Sequence, residues 1–190
     1  MAEPGHRVHD KEVLDALESF GTQPFAGHTW RITRRGRNPT KGSTADGRWS
    51  QASEMEVLYT SLERDGALAE IGHRLSLEPV WPSKLVHELH KLAIRAERAV
   101  HLPDLPTLHT LGVNTARFEN YDYSATQAIA AAAQFLGYDA MIVPNARHPS
   151  LNLVVLLANL DPGETVKIVS SEIVDWSAWR RGSMSLRPDK

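Results

Sequence analysis

Arg48, Tyr59 and Glu70 fall at almost even intervals along the chain, each at the edge of a different kind of segment. Arg48 sits in Gly47-Arg48-Trp49, at the close of a polar, glycine-bearing loop. Tyr59 ends the apolar part of Val57-Leu58-Tyr59-Thr60-Ser61, and Glu70 follows Ala67-Leu68-Ala69 in a run with helical spacing. A fold that draws these segments together places a cation, an aromatic hydroxyl and a carboxylate around one anionic, sugar-bearing substrate. Taken singly, each has a plainer role: a surface arginine, a strand aromatic packed on a core, a solvated helix position.

The elements that must position them follow from periodicity. Residues 10–20 predict a short amphipathic helix, with Asp10 as N-cap, Val13, Leu14 and Leu17 as the apolar stripe and Gly21 as the stop. Residues 28–33 read as a strand that sends Trp30 and Ile32 to one face and Arg31 to the other. Residues 34–53 are polar and long for a plain connection, which favours function. A strand over 56–61 and a helix over 62–75 follow, ended by Pro79 and Pro82. Residues 84–102 fit both a helix and a strand, and pattern does not decide between them. The stretch 102–111, broken by Pro103 and Pro106, reads as turns. A helix over 124–136 has Ser124 as cap and Gly137 as stop, and strands are expected at 140–143, 153–157 and 166–174. Residues 180–190 read as a frayed tail. Strands and helices mix without regular alternation, the mark of an α+β domain.

Other chemistries find less support. The 190 residues, with 42% hydrophobic and 23% charged, suit one soluble domain. With no cysteine there are no disulfides, thiolate metal sites or cysteine nucleophiles. His87 and His90 stand three apart, one short of the zinc-protease spacing, and no further ligand stands out, so no metal is expected. No glycine loop has the phosphate-cradling pattern. A formal net charge of -2 sets the basic run Arg31, Arg34, Arg35, Arg37 and Lys41 as a solvated loop rather than a nucleic-acid patch. An arginine pair aimed at a diphosphate is the third reading, because guanidinium forks bind phosphate oxygens bidentately. The start of the chain lacks the pattern of a signal peptide and the apolar stretch 153–158 is too short to span a bilayer, so a cytoplasmic protein is expected.

In order and spacing, the segments resemble the RES-domain family, named for its Arg, Glu and Ser positions, whose members are toxin halves of bacterial toxin–antitoxin pairs. Trp30-Arg31-Ile32 resembles the family's opening strand. Gly47-Arg48-Trp49-Ser50 resembles its Gly-Arg-Trp-Asn motif with serine last, and Leu58-Tyr59-Thr60-Ser61 its Tyr-Thr-Ser strand end. Glu70 stands at the expected interval. Tyr121, Thr126-Gln127 and Gly137-Tyr138-Asp139 fit the family's later helix and its exit. Val143-Pro144-Asn145-Ala146 lies where the family has Pro-Ser-Ala, so Asn145 replaces the family serine, and Asn152-Leu153 follows.

The resemblance implies an ADP-ribosyltransferase-like α+β fold, a mixed β-sheet with flanking helices. It divides the chain into an N-terminal helical extension (1–27), a RES domain (28–175) and a C-terminal tail (176–190). It also implies cleavage of NAD at the nicotinamide–ribose bond, by glycohydrolysis or phosphorolysis, with NAD as substrate rather than cofactor and no metal. Arg48, Tyr59 and Glu70 are then the catalytic set, while Arg31, Gly47, Trp49 and Asn145 bind NAD. Glu70 would stabilise an oxocarbenium-like ribose, Arg31 and Arg48 would clamp the diphosphate, and Tyr59 or Trp49 would pack on a planar ring. The implied partner is a small Xre-type antitoxin that docks near the loop 34–53 and alone contacts DNA. ADP-ribosyl transfer onto a macromolecule, and a non-catalytic dinucleotide-binding domain, remain alternative readings.

Overall fold

The computed structural model describes residues 9–185; residues 1–8 and the last five of the expected tail lie outside the described residues. In chain order the elements are α1 (Lys11–Phe20), β1 (Gln23–Arg34), β2 (Val57–Ser61), α2 (Arg64–Ser76), β3 (His87–His101), α3 (Leu105–Thr110), a 3-10 turn (Thr115–Arg117), α4 (Ser124–Phe135), β4 (Ala140–Pro144), β5 (Leu151–Leu156), α5 (Pro162–Thr165), β6 (Val166–Ile173) and α6 (Trp176–Ser185). This is a mixed α+β domain.

The sheet runs β1-β2-β5-β4-β3-β6, and β1 also pairs with β3. β1 follows β3 antiparallel from Gln23↔Ala99 to Arg34↔His87, but meets β2 at the one pair Trp30↔Ser61. The five strands thus curl into a barrel-like ring with one weak seam, and β6 hangs on the outer edge of β3. Alternation sorts the side chains. Leu58, Leu92, Ile94, Ile142, Leu153 and Val155 fill one cluster with Phe25 packed against it, while Val57, Met141, Val143, Val154 and Leu156 face α1 and α4 through Leu17 and Ile129. A third cluster joins α2 and α6 to β1 and β3 through Leu68, Leu75, Ile32, Leu89 and Trp176.

The region 84–102 resolves as a strand of 15 residues. Both of its edges find partners, β1 on one side and β6 followed by β4 on the other, so backbone pairing overrides its helical spacing. Three expectations are corrected. The expected turns at 102–111 contain α3, where Asp104 accepts from the Thr107 amide at 2.8 Å and Pro106 lies in the first turn, where its missing N–H costs nothing. Ser124 does not cap α4: the N-cap is Tyr123, and Asp122 takes the Ser124 amide and hydroxyl at 3.3 and 2.9 Å. The expected tail contains α6. α1 forms as expected, with Asp10 accepting from the Glu12 amide and Gly21 at φ 68 closing the helix.

Candidate active site

Because β1 and β2 touch at one pair, a cleft opens along the seam, and a cavity of about 600 Å³ fills it under the face of α2 that carries Glu70. This is the size range of small-molecule sites. Arg48, Tyr59 and Glu70 all line it. The loop 35–56 forms one wall and the segment around Tyr121 and Tyr123 the lip.

The loop wall is built on Trp49. Its indole is 1% exposed in the core with Leu17, Met55 and Ile129, which leaves no face for a substrate ring. The turn is tight: Gly47 and Ser50 exchange backbone bonds of 2.9 and 3.3 Å. Gln127 of α4 grips it from outside, its amide nitrogen donating to Asp46 Oδ1 and the Gly47 carbonyl, both at 2.9 Å, and to the Ser50 carbonyl at 3.2 Å. The Tyr59 hydroxyl grips it from inside. It accepts from the Trp49 amide at 3.0 Å and meets Ser50 Oγ at 2.9 Å. The Ser50 hydroxyl proton goes to the Ala45 carbonyl at 3.0 Å, so Tyr59 donates to Ser50. A Cβ on Gly47 would stand 2.7 Å from that tyrosine oxygen, so this position requires glycine. Tyr59 is therefore occupied as a brace for the turn, and burial raises the pKa of its phenol.

With its neighbour Trp49 buried, Arg48 is turned to the cavity. Its guanidinium lies over Phe118 at 4.3 Å and Tyr123 at 4.9 Å from the ring centroids, a stacked geometry that leaves the planar fork oriented. Burial lowers its pKa, and the nearby Arg147 charge does the same. Arg147 itself donates from Nη2 to the Glu119 carbonyl at 2.8 Å, with Nη1 3.7 Å from the Glu119 carboxylate. Two oriented guanidinium groups therefore share one cavity.

Glu70 is held by a chain of amides. Asn152 Nδ2 donates to Glu70 Oε1 at 2.8 Å, and Asn152 Oδ1 accepts from Asn145 Nδ2 at 3.1 Å. Asn145 Nδ2 also donates to the Gly66 carbonyl at 3.3 Å, and its Oδ1 takes the Arg147 amide at 2.8 Å. Each amide is oriented by the next, so the donor presented to Glu70 is fixed. A Cβ on Gly66 would come within 2.3 Å of Ser61 Oγ, so α2 starts as close to the β2 and β5 ends as a backbone can. Burial raises the Glu70 pKa, opposed by the Asn152 hydrogen bond and by the charges of Arg48, Arg74 and Arg147. The arrangement is a half-buried carboxylate faced by cations: a site able to stabilise a developing positive charge on a bound sugar.

The structure brings Arg48, Tyr59, Glu70 and Gly47 together with Arg31 and Trp49 around the cavity, and leaves Asn145 out of its lining. Arg31 lines the seam, but its Nη1 and Nη2 donate to the Tyr59 and Lys41 carbonyls at 3.0 and 3.1 Å, and burial lowers its pKa to about 10. Trp49 is a core anchor. Asn145 is 8% exposed and lies behind the wall rather than in it. Arg147, Asn152, Tyr123 and Arg74 line the cavity without having been singled out as cavity residues by their surroundings in sequence. Only Asn152, at a set distance after Pro144-Asn145, carried a signal. His87 and His90 are used in packing: His87 accepts from Trp176 Nε1 at 3.1 Å, and His90 bridges Thr33 and Ser171 at 2.9 and 2.7 Å. Among the described residues no three His, Asp or Glu converge as a metal site, and no helix is long and apolar enough to cross a membrane.

The chain is 29% identical over 163 residues to a probable NAD(+) phosphorylase of Mycobacterium tuberculosis (strain ATCC 25618 / H37Rv), covering 80% of this chain and 76% of that protein. Its fold superposes with a TM-score of 0.78 on a chain of the M. tuberculosis MbcT–MbcA toxin–antitoxin complex, at 19% identity, over 90% of this chain and 97% of that one. Residues 28–177 match the RES domain model, so the chain belongs to the RES-domain family.

Proposed function

We propose that this protein is an NAD-degrading toxin that breaks the nicotinamide–ribose bond, with phosphate or water as acceptor, on an ADP-ribosyltransferase-like fold. The observation that carries the reading is Glu70: a half-buried carboxylate, fixed by Asn152, in a cavity with two oriented arginines. The similarity to a probable NAD(+) phosphorylase supports it.

The chemistry needs few groups. As the C1′–N bond lengthens, its electron pair goes to the nicotinamide ring, which leaves neutral and requires no general acid. The positive charge passes to C1′ and the ring oxygen of the ribose, where the Glu70 carboxylate stabilises it and accepts from the sugar hydroxyls. A phosphate oxygen or a water then forms the new bond to C1′, the water losing its proton. Arg48 and Arg147 hold the diphosphate and fix the reacting carbon against Glu70. Tyr59 acts indirectly, by bracing the turn from which Arg48 projects.

A toxin of this kind requires a partner that silences it, and the likeness to a chain of a toxin–antitoxin complex supports an antitoxin; the reading extends to one of Xre type. Purified protein incubated with NAD, with and without phosphate, tests the proposal by product separation. Free nicotinamide with phosphorylated or unphosphorylated ADP-ribose is expected. Intact NAD, or label transferred onto protein or nucleic acid, would overturn it.

A further inference from the structure

α2 is packed from two sides. Its Ala67, Glu70 and Arg74 line the cavity, while Leu68, Gly72 and Leu75 face the opposite way. Gly72 follows Glu70 by two residues, roughly 200° around the helix, so whatever presses on Gly72 presses Glu70 toward the cavity. What presses there is Trp179 of α6. A Cβ on Gly72 would lie 2.2, 2.5 and 2.7 Å from Cη2, Cζ3 and Cζ2 of that indole, so the six-membered ring rests directly on helix backbone.

The indole is itself held. Trp179 meets Trp176 edge-on at 5.5 Å, Trp176 meets Trp81 at 6.1 Å, and Arg180 lies over Trp81 at 4.6 Å. Trp176 donates to His87 of β3 at 3.1 Å, tying the stack to the sheet. Arg64, in the first turn of α2, pairs with Glu172 of β6 at 2.7 Å, one connection before α6. The match to the family ends at residue 177, so Trp179 lies beyond it.

We propose that α6 is a clasp and that Trp179 is a positioning residue: its ring, seated on Gly72, sets the depth of α2 and so the place of Glu70 in the cavity. The inference rests on the reading of Glu70 given above. Loosening the clasp lets α2 back away and admits water to the carboxylate. Glu70 works ionised, so activity falls below its pKa. Burial raises that pKa, and hydration would lower it, moving the acid limb of the rate profile to lower pH. Retreat of α2 also weakens the pull of Asn152, Arg48 and Arg147, but burial is the largest influence on this carboxyl and its relief sets the direction; Tyr59, and Arg74 on the same helix, are the other groups facing it.

The test compares Gly72→Ala, Trp179→Phe and the double variant with wild type and with Glu70→Gln, measuring NAD turnover, its pH profile and the melting temperature. Gly72→Ala wedges a Cβ between the helix and the indole, displaces Glu70 from its seat, and should lower kcat by roughly tenfold or more with little change in KM. Phenylalanine at 179 cannot reach Gly72, so the double variant should recover to the level of Trp179→Phe alone, which loosens the clasp and moves the acid limb down. A folded Gly72→Ala with wild-type kcat, or a double variant no better than Gly72→Ala, would overturn the clasp. Should Gly72→Ala not fold, an unmoved acid limb in Trp179→Phe would overturn it alone. Wild-type turnover in Glu70→Gln would instead remove the reading of Glu70. The clasp would then stand or fall on whether Trp179→Phe speeds amide exchange along α2.

Discussion

Replacing Glu70 by glutamine separates its charge from its shape. Asn152 still finds an acceptor in the new amide oxygen, so the chain Asn145–Asn152–70 stays intact and the cavity keeps its volume. What is lost is one negative charge, placed where the oxocarbenium develops. Removing a single preorganised electrostatic group costs about 3–4 kcal/mol of transition-state stabilisation, so NAD turnover should fall by roughly two to three orders of magnitude. Stability should move the other way. The folded carboxyl is raised above its ordinary 4.5 by burial, so its contribution is fully present below that value and is lost as pH rises through the raised one. Glutamine carries no such pH-dependent cost. Glu70→Gln should therefore melt with wild type at about pH 4 and above it at about pH 8. Nicotinamide release and thermal melts across that range measure both. Equal turnover would refute the catalytic role, and a lower melting temperature at the alkaline end would refute the account of the buried charge.

The remaining expectations concern the groups around it. Arg48→Lys and Arg147→Lys keep charge but lose the fork, so NAD titrations should show weaker binding in both, whereas Arg31→Lys should register in thermal melts through the carbonyls of Tyr59 and Lys41 that it leaves without guanidinium donors. Tyr59→Phe strips the acceptor from the Trp49 amide and should cost about 1–3 kcal/mol in denaturant unfolding, with a fall in turnover as the Arg48 turn loosens. Asn145→Ala frees the Asn152 amide to rotate and should lower turnover with a stability loss of about 1–3 kcal/mol; full turnover would show that Asn152 needs no such support.

The sequence carries the local rules of this fold well and the distant ones poorly. α1 and its cap, α4 and the buried strands are local matters of spacing and terminators. β3 was undecided because its identity lies in its neighbours: β1 and β6 pair with it from remote parts of the chain. At the site, Arg48, Tyr59 and Glu70 stood out as residue types that complete a chemistry. Trp49 shows the limit of reading a motif as a row of ligands. Adjacent side chains diverge, and the one that turned inward to anchor the turn left Arg48 to face the cavity. Asn145 is buried and hydrogen-bonded to Asn152, showing that a polar residue in a motif can serve another polar residue. Arg147 carries no local pattern, and only the return of the chain beside α2 gives it meaning.

The seam between β1 and β2 separates two kinds of evolutionary freedom. The ladders that close the ring elsewhere, β1 with β3 and β2 with β5, do not pass through the loop 35–56. That loop enters and leaves at the weak joint, and lengthening a surface loop costs little in chain entropy. Exchange of residues between its anchors at Ser43 and Gly47 can therefore alter what meets the rim of the cavity while the barrel ladders stay intact. Variation at the seam can therefore run ahead of variation in the fold.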